Sequence, residues 1–535
     1  MRPILRLLPI GIALAVAAPL LLIAAALLRP SGESWAHLWE TRLLEMLTQT
    51  MLLVCAVGLG TLVLGTGLAW LVSAYSFPGR ALFAWLLVLP LAMPGFVLGF
   101  VFMATFDYAG PVQSALRAWL GPTLWFPEVR SLGGAAIVLT LAWYPYVYLL
   151  ARAAFAEQAA STLDAARAMG SSRTHALFRL VLPLARPSLV AGVTLVMLET
   201  LTDFATVRYF NVLTLSEGIL RVWEGMMDRE TATQLAALLL LVALGLILLE
   251  RILRGAARYT QLSGAPRIAP LPLHGWRAAV ATGACALILA VAFVLPAAQL
   301  VAWALAEQRS ATMPTADGVA ERYIVVSLGL AAGAAALAAL CALLLTTGER
   351  LGGGRVQRGA ARLATLGYAM PGAVVGVGVL TLLAAFDHAI IARGLVGALL
   401  LTGSLTGLFY AYVVRFLAVA YGSVDASMEK VTPRLVEAAR CMGASQGRII
   451  WRIHTPLVRA GLLAGAMLVF VDVMKELPVT LLLRPFGMDT LAIWTYMLAA
   501  ESFWQAAAIP ALIIVLVGVL PIALLVRTGE RVAVR

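Results

Sequence analysis

Charge is what this chain has least of. Only 12% of its 535 residues are charged and 62% are hydrophobic, where a soluble domain carries about a quarter charged and half apolar. That excludes an ordinary soluble enzyme, and so much apolar content also excludes a disordered chain. Lysine is nearly absent: Lys430 and Lys475 are the only two among 39 basic residues. A P-loop needs lysine directly after glycine. Lys430 follows Glu429 and Lys475 follows Met474, so the chain carries no nucleotide site of that kind. Cysteine is scarce as well. Cys55, Cys285 and Cys341 sit in apolar runs and Cys441 in a basic loop, with no zinc spacing and no disulfide framework. The five histidines are scattered, and no H-E-x-x-H or nucleophile elbow occurs. No cofactor, metal or covalent chemistry is expected of this chain.

What the chain has in abundance is long apolar runs, with a mean hydropathy of +0.93. Twelve are readable, at about 4–28, 50–74, 81–105, 133–155, 188–208, 233–250, 278–304, 323–347, 362–385, 396–420, 457–480 and 505–526. Each is long enough for a helix to cross a bilayer and none alternates like a barrel strand. The expected fold is therefore all-α, a polytopic helical membrane protein. The first run exceeds a signal-peptide core and no clear cleavage site follows it, so it is read as a retained anchor. With the N-terminus placed in the cytoplasm, 26 basic residues fall in inside segments and 11 in outside segments. Both termini are thus expected to be cytoplasmic. The net charge of +12 reflects these loops, so no nucleic-acid partner is expected.

The chain also repeats itself. Asp164-Ala165-Ala166-Arg167-Ala168-Met169-Gly170 matches Glu437-Ala438-Ala439-Arg440-Cys441-Met442-Gly443 at an offset of 273, which also pairs Pro183 with Pro456 and Gly192 with Gly465. Ala92-Met93-Pro94-Gly95 matches Ala369-Met370-Pro371-Gly372 at 277. Two six-span halves are fused, joined through the polar segment 251–277. Six is even, so both halves enter the membrane in one orientation and form a parallel repeat. The expected segments are an anchor and outside loop (1–45), a first transmembrane domain (46–252), a linker with the seventh helix (253–320), a second transmembrane domain (321–527) and a cytoplasmic tail (528–535).

Both repeated loops lie on the cytoplasmic side. In each, an acid and two alanines open a short helix, glycine supplies a turn, and a second amphipathic helix runs to a proline that is expected to end it. The second helix places Leu177, Leu180 and Val181, or Ile449, Ile450 and Ile453, at helical spacing. A helix–turn–helix with an apolar face suits docking in a groove of a partner.

The pattern E-A-A-x3-G-x9-I-x-L-P resembles the coupling-loop signature of inner-membrane permeases in binding-protein-dependent ABC importers. The second copy supplies Glu437, Ala438, Ala439, Gly443, Ile453 and Pro456, with Thr455 in place of leucine. The first supplies Ala165, Ala166, Gly170, Leu182 and Pro183, with Asp164 for glutamate and Leu180 for isoleucine. The segments Glu199-Thr200-Leu201-Thr202-Asp203-Phe204 and Asp472-Val473-Met474-Lys475-Glu476-Leu477-Pro478, with Leu481-Leu482-Leu483-Arg484-Pro485-Phe486 after the latter, resemble fused two-half permeases of ferric-iron importers. Thiamine, phosphonate and polyamine permeases share this layout. The resemblance implies a type I ABC importer permease in a bacterial inner membrane. It implies two copies of a cytoplasmic ATP-binding subunit under the twin loops, and an external binding protein that delivers substrate. A secondary transporter of two parallel halves is the alternative, and it leaves the duplicated loop unexplained.

Charged groups inside spans are costly unless they are paired or face water. The repeat aligns Glu199 with Asp472 and Asp203 with Glu476, so each half places two acids four residues apart, on one face if the helix continues. Three roles stand open for them: lining a central cation path, structural pairing with Lys475, or contact with the binding protein. Pro94-Gly95 and Pro371-Gly372 interrupt spans three and nine near their middles and are candidate hinges or packing kinks.

Overall fold

The computed structural model describes residues 2–28, 32–157, 175, 177–255, 270–310, 319–352, 354–395 and 397–533. Among them, twelve helices are long and apolar enough to cross a membrane. They are Leu7–Ala26, Leu43–Ala74, Gly95–Leu120, Leu132–Ala156, Leu177–Thr202, Arg229–Arg254, Trp276–Arg309, Ala320–Arg350, Gly372–Ala392, Leu405–Met428, Gln446–Met474 and Trp504–Ile522. They are called spans one to twelve below. The protein is a multi-pass helical membrane protein, as the apolar runs require, and its one sheet among the described residues is a parallel pair of two-residue strands, Tyr75–Ser76 with Leu271–Pro272.

The runs and the helices differ where proline intervenes. The third run, 81–105, is a short helix Arg80–Leu86, a 3-10 turn Leu89–Ala92 and then a new helix from Gly95. The ninth repeats this with Arg355–Ala364, Leu366–Ala369 and a start at Gly372. Pro94 and Pro371 hold extended ψ values of 146° and 140° at the two starts. Each therefore stands ahead of a helix rather than inside one, because proline has no N–H to continue a ladder and pushes its predecessor out of helical geometry.

The chain divides into two compact units that do not follow the sequence halves. One comprises residues 1–40, 218–241 and 314–495. In it span one packs along spans eight and nine and the helix Arg355–Ala364, and spans eight, ten and eleven pack on one another. The other comprises residues 41–217, 242–313 and 496–535. In it spans two, four and five form the matching three-helix core, and span twelve packs on the helix Leu295–Ser310.

The repeat is visible at the level of atoms. A Cβ on Gly192 would lie 3.2 Å from the Cα of Val147, and one on Gly465 would lie 3.0 Å from the Cα of Ala420. Val147 and Ala420 are themselves 273 apart. Each core thus needs glycine at the same point for spans to meet backbone to backbone.

Candidate functional site

The second copy of the repeated loop begins at Thr432, with Pro433 in the first helical turn, and forms the helix Pro433–Cys441. Proline fits there because its missing N–H is one that a helix start leaves unbonded anyway. The helix closes on Gly443, at φ +78°. The Gly443 N–H donates to the Arg440 carbonyl at 2.9 Å and the Ala444 N–H to the Ala439 carbonyl at 2.9 Å. This pair of bonds is a Schellman closure, and the left-handed backbone at its centre favours glycine. Ser445 then caps the next helix, Gln446–Ile449, through the Arg448 N–H. Glu437 and Ala438 are exposed and Ala439 is buried.

Two local expectations are corrected here. Pro456 does not end the second helix. Gln446–Ile449 passes through a π turn, Ile450–His454, directly into Thr455–Met474. Pro183 does the same in the first copy, where the π turn Leu177–Val181 leads into Leu182–Thr202. Widening the helix by one residue accommodates the prolines, and Thr455 Oγ1 donates to the Ile450 carbonyl at 2.9 Å. Nor is the apolar stripe open along its length, although Leu177, Leu180 and Ile453 are half-buried rather than covered. Ile449 and Ile450 are 0% and 7% exposed, packed into their own unit, and Val181 is likewise buried. Helical periodicity marks a face that is covered without saying what covers it. The apolar groups left outside are Leu435, Met442 and Trp451, with Met442 80% and Trp451 64% exposed. They were missed because they fall off the stripe formed by Ile449, Ile450 and Ile453; the repetition of Met169 as Met442 and of aromatic Phe178 as Trp451 was the signal available. Asp164, Ala165, Ala166 and Gly170 lie outside the described residues.

The intramembrane acids stand at helix breaks. Span five ends at Thr202 and the helix Thr455–Met474 at Met474. Glu199 and Asp203, or Asp472 and Glu476, therefore do not share one continuous helix face. The breaks are built alike. Asp203 accepts hydrogen bonds from the Thr206 N–H and Oγ1, both at 2.7 Å, which starts the helix Ala205–Tyr209. Glu476 Oε1 accepts from the Val479 N–H at 2.9 Å and starts Pro478–Leu483. Thr206 and Val479 are again 273 apart.

Compensation of charge differs between the halves. Glu476 Oε2 lies 3.2 Å from Arg415 Nε, and both side chains are nearly buried. Asp472 pairs with Lys475 at 3.0 Å, in a more open position. At the place of Arg415 the first half has Ala142. The Arg415–Glu476 pair joins spans ten and eleven and was not foreseen, because its members are 61 residues apart and nothing local links them. The Pro-Gly starts pack against the same breaks. A Cβ on Gly95 would meet Asp203 Oδ2 at 2.7 Å, and one on Gly372 would overlap the Arg415 guanidinium.

Fold and site together define a class: a duplicated helical membrane protein, each half carrying a span with a capped break and a polar segment ahead of it. The chain belongs to the family described as the binding-protein-dependent transport system inner membrane component, matched twice, at residues 61–258 and 334–532. It is therefore an ABC importer permease. It is 25% identical to the Fe(3+)-transport system permease protein FbpB 2 of Haemophilus influenzae, over 91% of this chain and 90% of that protein. It is 27% identical to the probable ABC transporter permease protein y4fN of Sinorhizobium fredii, over 83% and 78%. It is also 27% identical to the molybdenum transport system permease protein ModB of Escherichia coli, over 32% of this chain and 71% of that one.

Proposed function

We propose that this chain is the permease subunit of an ATP-driven importer that carries ferric iron into a bacterial cytoplasm. Both of its permease repeats, at 46–252 and 321–527, serve one pathway. The observation that carries the iron assignment is the length of the likeness to the Fe(3+)-transport permease, which spans both halves. The molybdenum and sulfate permeases match about a third of the chain each.

In this reading an external binding protein delivers the metal and two copies of an ATPase subunit dock on the twin coupling segments. Leu435, Met442 and Trp451 would be the groups received by the ATPase groove at the second segment, with Glu437, Ala438 and Gly443 shaping it; Asp164, Ala165, Ala166 and Gly170 would do this at the first. The helix from Gln446 to Met474 supports a mechanical link, since a push at its cap, Ser445, is carried along the helix to the break at Lys475. Pro94-Gly95 and Pro371-Gly372 are then the places where spans three and nine would pivot. Glu199, Asp203 and Asp472 remain the candidates for the cation path. Both termini and both coupling segments would be cytoplasmic, in the inner membrane.

The test is transport. Cells lacking their own ferric importer and given this permease with its ATPase and binding protein should accumulate radioiron in an ATP-dependent manner. Uptake of molybdate or sulfate in its place, with no iron uptake, would overturn the substrate assignment. Failure of any P-loop subunit to co-purify would overturn the importer itself.

A further inference from the structure

The break in span eleven is followed by a loop that its counterpart in the first half does not resemble. In the first half, residues 212–214 turn inward and only the polar Asn211 is exposed. Val212, Leu213 and Thr214 are buried. The Leu213 N–H donates to Gln49 Oε1 at 2.7 Å and the Leu215 N–H to Thr50 Oγ1 at 3.0 Å, so the loop is fastened to the start of span two. The second half keeps the equivalent fastening: the Leu491 N–H donates to Ser327 Oγ at 2.8 Å, near the start of span eight. Between Leu483 and Leu491, however, its loop turns outward. Phe486 stands at the tip, 109% exposed.

This tip is braced. Arg484 forms an ion pair with Asp489 across the base of the loop. The Met488 N–H donates to the Pro485 carbonyl at 3.1 Å. Gly487 sits at φ +75°, and its carbonyl accepts from Arg322 Nη2 at 2.9 Å. Proline on one side of Phe486 and a tied glycine on the other leave the phenyl group little backbone freedom. A rigid aromatic ringed by charged groups is the form that binding hot spots take, an apolar anchor inside a polar rim. A fixed anchor also loses little entropy on binding.

The position of the loop selects the partner. The helix Thr455–Met474 is 20 residues long, about 30 Å at 1.5 Å per residue, and runs away from the coupling segment. The loop therefore emerges on the face opposite the ATPase. This step rests on the proposed function, in which that face receives the binding protein. We infer that Phe486 is the docking anchor through which the second half of the permease holds the external binding protein, and that the first half offers no equivalent at residues 211–214.

The test uses the permease–ATPase complex in nanodiscs. The probe is the purified binding protein that stimulates ATP hydrolysis by the wild-type complex. Phe486→Ala should weaken binding of that protein at least tenfold, with yield and monodispersity kept, and Phe486→Tyr should restore most of the loss. A photo-reactive phenylalanine at 486 should crosslink to the binding protein. Wild-type affinity in a well-behaved Phe486→Ala complex, or crosslinking to lipid alone, overturns the inference while the importer reading stands. If no binding protein stimulates the wild-type complex, the importer reading fails and takes this one with it.

Discussion

Changing Glu476 to glutamine keeps the shape of the side chain and removes its charge. In the wild-type protein Arg415 and Glu476 lie 3.2 Å apart with side chains only 9% and 4% exposed. Glutamine can still accept from the Val479 N–H, so the local cap survives, but the Arg415 guanidinium is left buried without a counter-charge. Removing one partner of a buried pair typically costs about 3–5 kcal/mol, while replacing both costs far less. For a compact unit of this size that corresponds to a fall in melting temperature of about 6–20 °C. Glu476→Gln should therefore reduce yield and lower the temperature at which the detergent-solubilised protein aggregates, followed by fluorescence-detected size exclusion. Adding Arg415→Met should recover most of the loss. Asp472→Asn, at a more open pair, should shift the same temperature much less. A Glu476→Gln protein as stable as wild type and yet inactive in uptake would refute the reasoning. It would return Glu476 to the cation path and make the pair with Arg415 incidental.

Three other outcomes are expected. Gly443→Ala places a Cβ at φ +78° and should cost about 1–2 kcal/mol, weakening ATPase capture modestly; Gly443→Pro cannot adopt that φ and should abolish capture at this segment. Met442→Asp and Trp451→Asp should leave expression unchanged, both groups being exposed, and should eliminate ATPase co-purification; retained co-purification removes these residues from the docking face. Asp228 is held below the usual carboxylate range: burial alone raises it, but hydrogen bonds from the Thr231 N–H, Thr231 Oγ1 and Ser34 outweigh that. Its contribution should be present in full above about pH 4 and disappear as pH falls through the lowered value. Asp228→Ala, which also uncaps span six, should cost about 1 kcal/mol and flatten the acid limb of a stability–pH profile.

The number of spans and the duplication were legible in the sequence because both are carried by local composition and by a fixed offset. Helix starts at Gly95 and Gly372 were half legible. Proline announced a break, but the apolar residues on either side hid that the break is complete. The ends at Thr202 and Met474 were hidden for the same reason: Phe204, Leu477 and Val479 continue the apolar run while the backbone turns. Ile449 and Ile450 misled because a stripe at helical spacing carries no label for its partner. The Arg415–Glu476 pair and the seat of span one on spans eight and nine depend on chain segments distant in sequence, which no local pattern reports. Gly443 was readable because its left-handed φ makes a demand on residue type that leaves a mark in the sequence.

Span one has a consequence for the order of events at the ribosome. The surfaces it packs on, Val319–Gly352, Arg355–Ala364 and Gly372–Ala392, are made roughly 300 residues after it. At about 5–20 residues per second the helix waits for about 15–60 s in the membrane before its seat exists. During that interval the face carrying Ala13, Val16, Ala17 and Ile23 is open to other helices and to proteases that survey unassembled segments. Because both sequence halves are on one polypeptide, the waiting helix remains tethered to the chain that will supply its seat, so completion of the unit does not depend on the concentration of a second subunit. A version cut into two polypeptides at the linker would have to complete the same unit by diffusion, and its yield would depend on how evenly the two pieces were made.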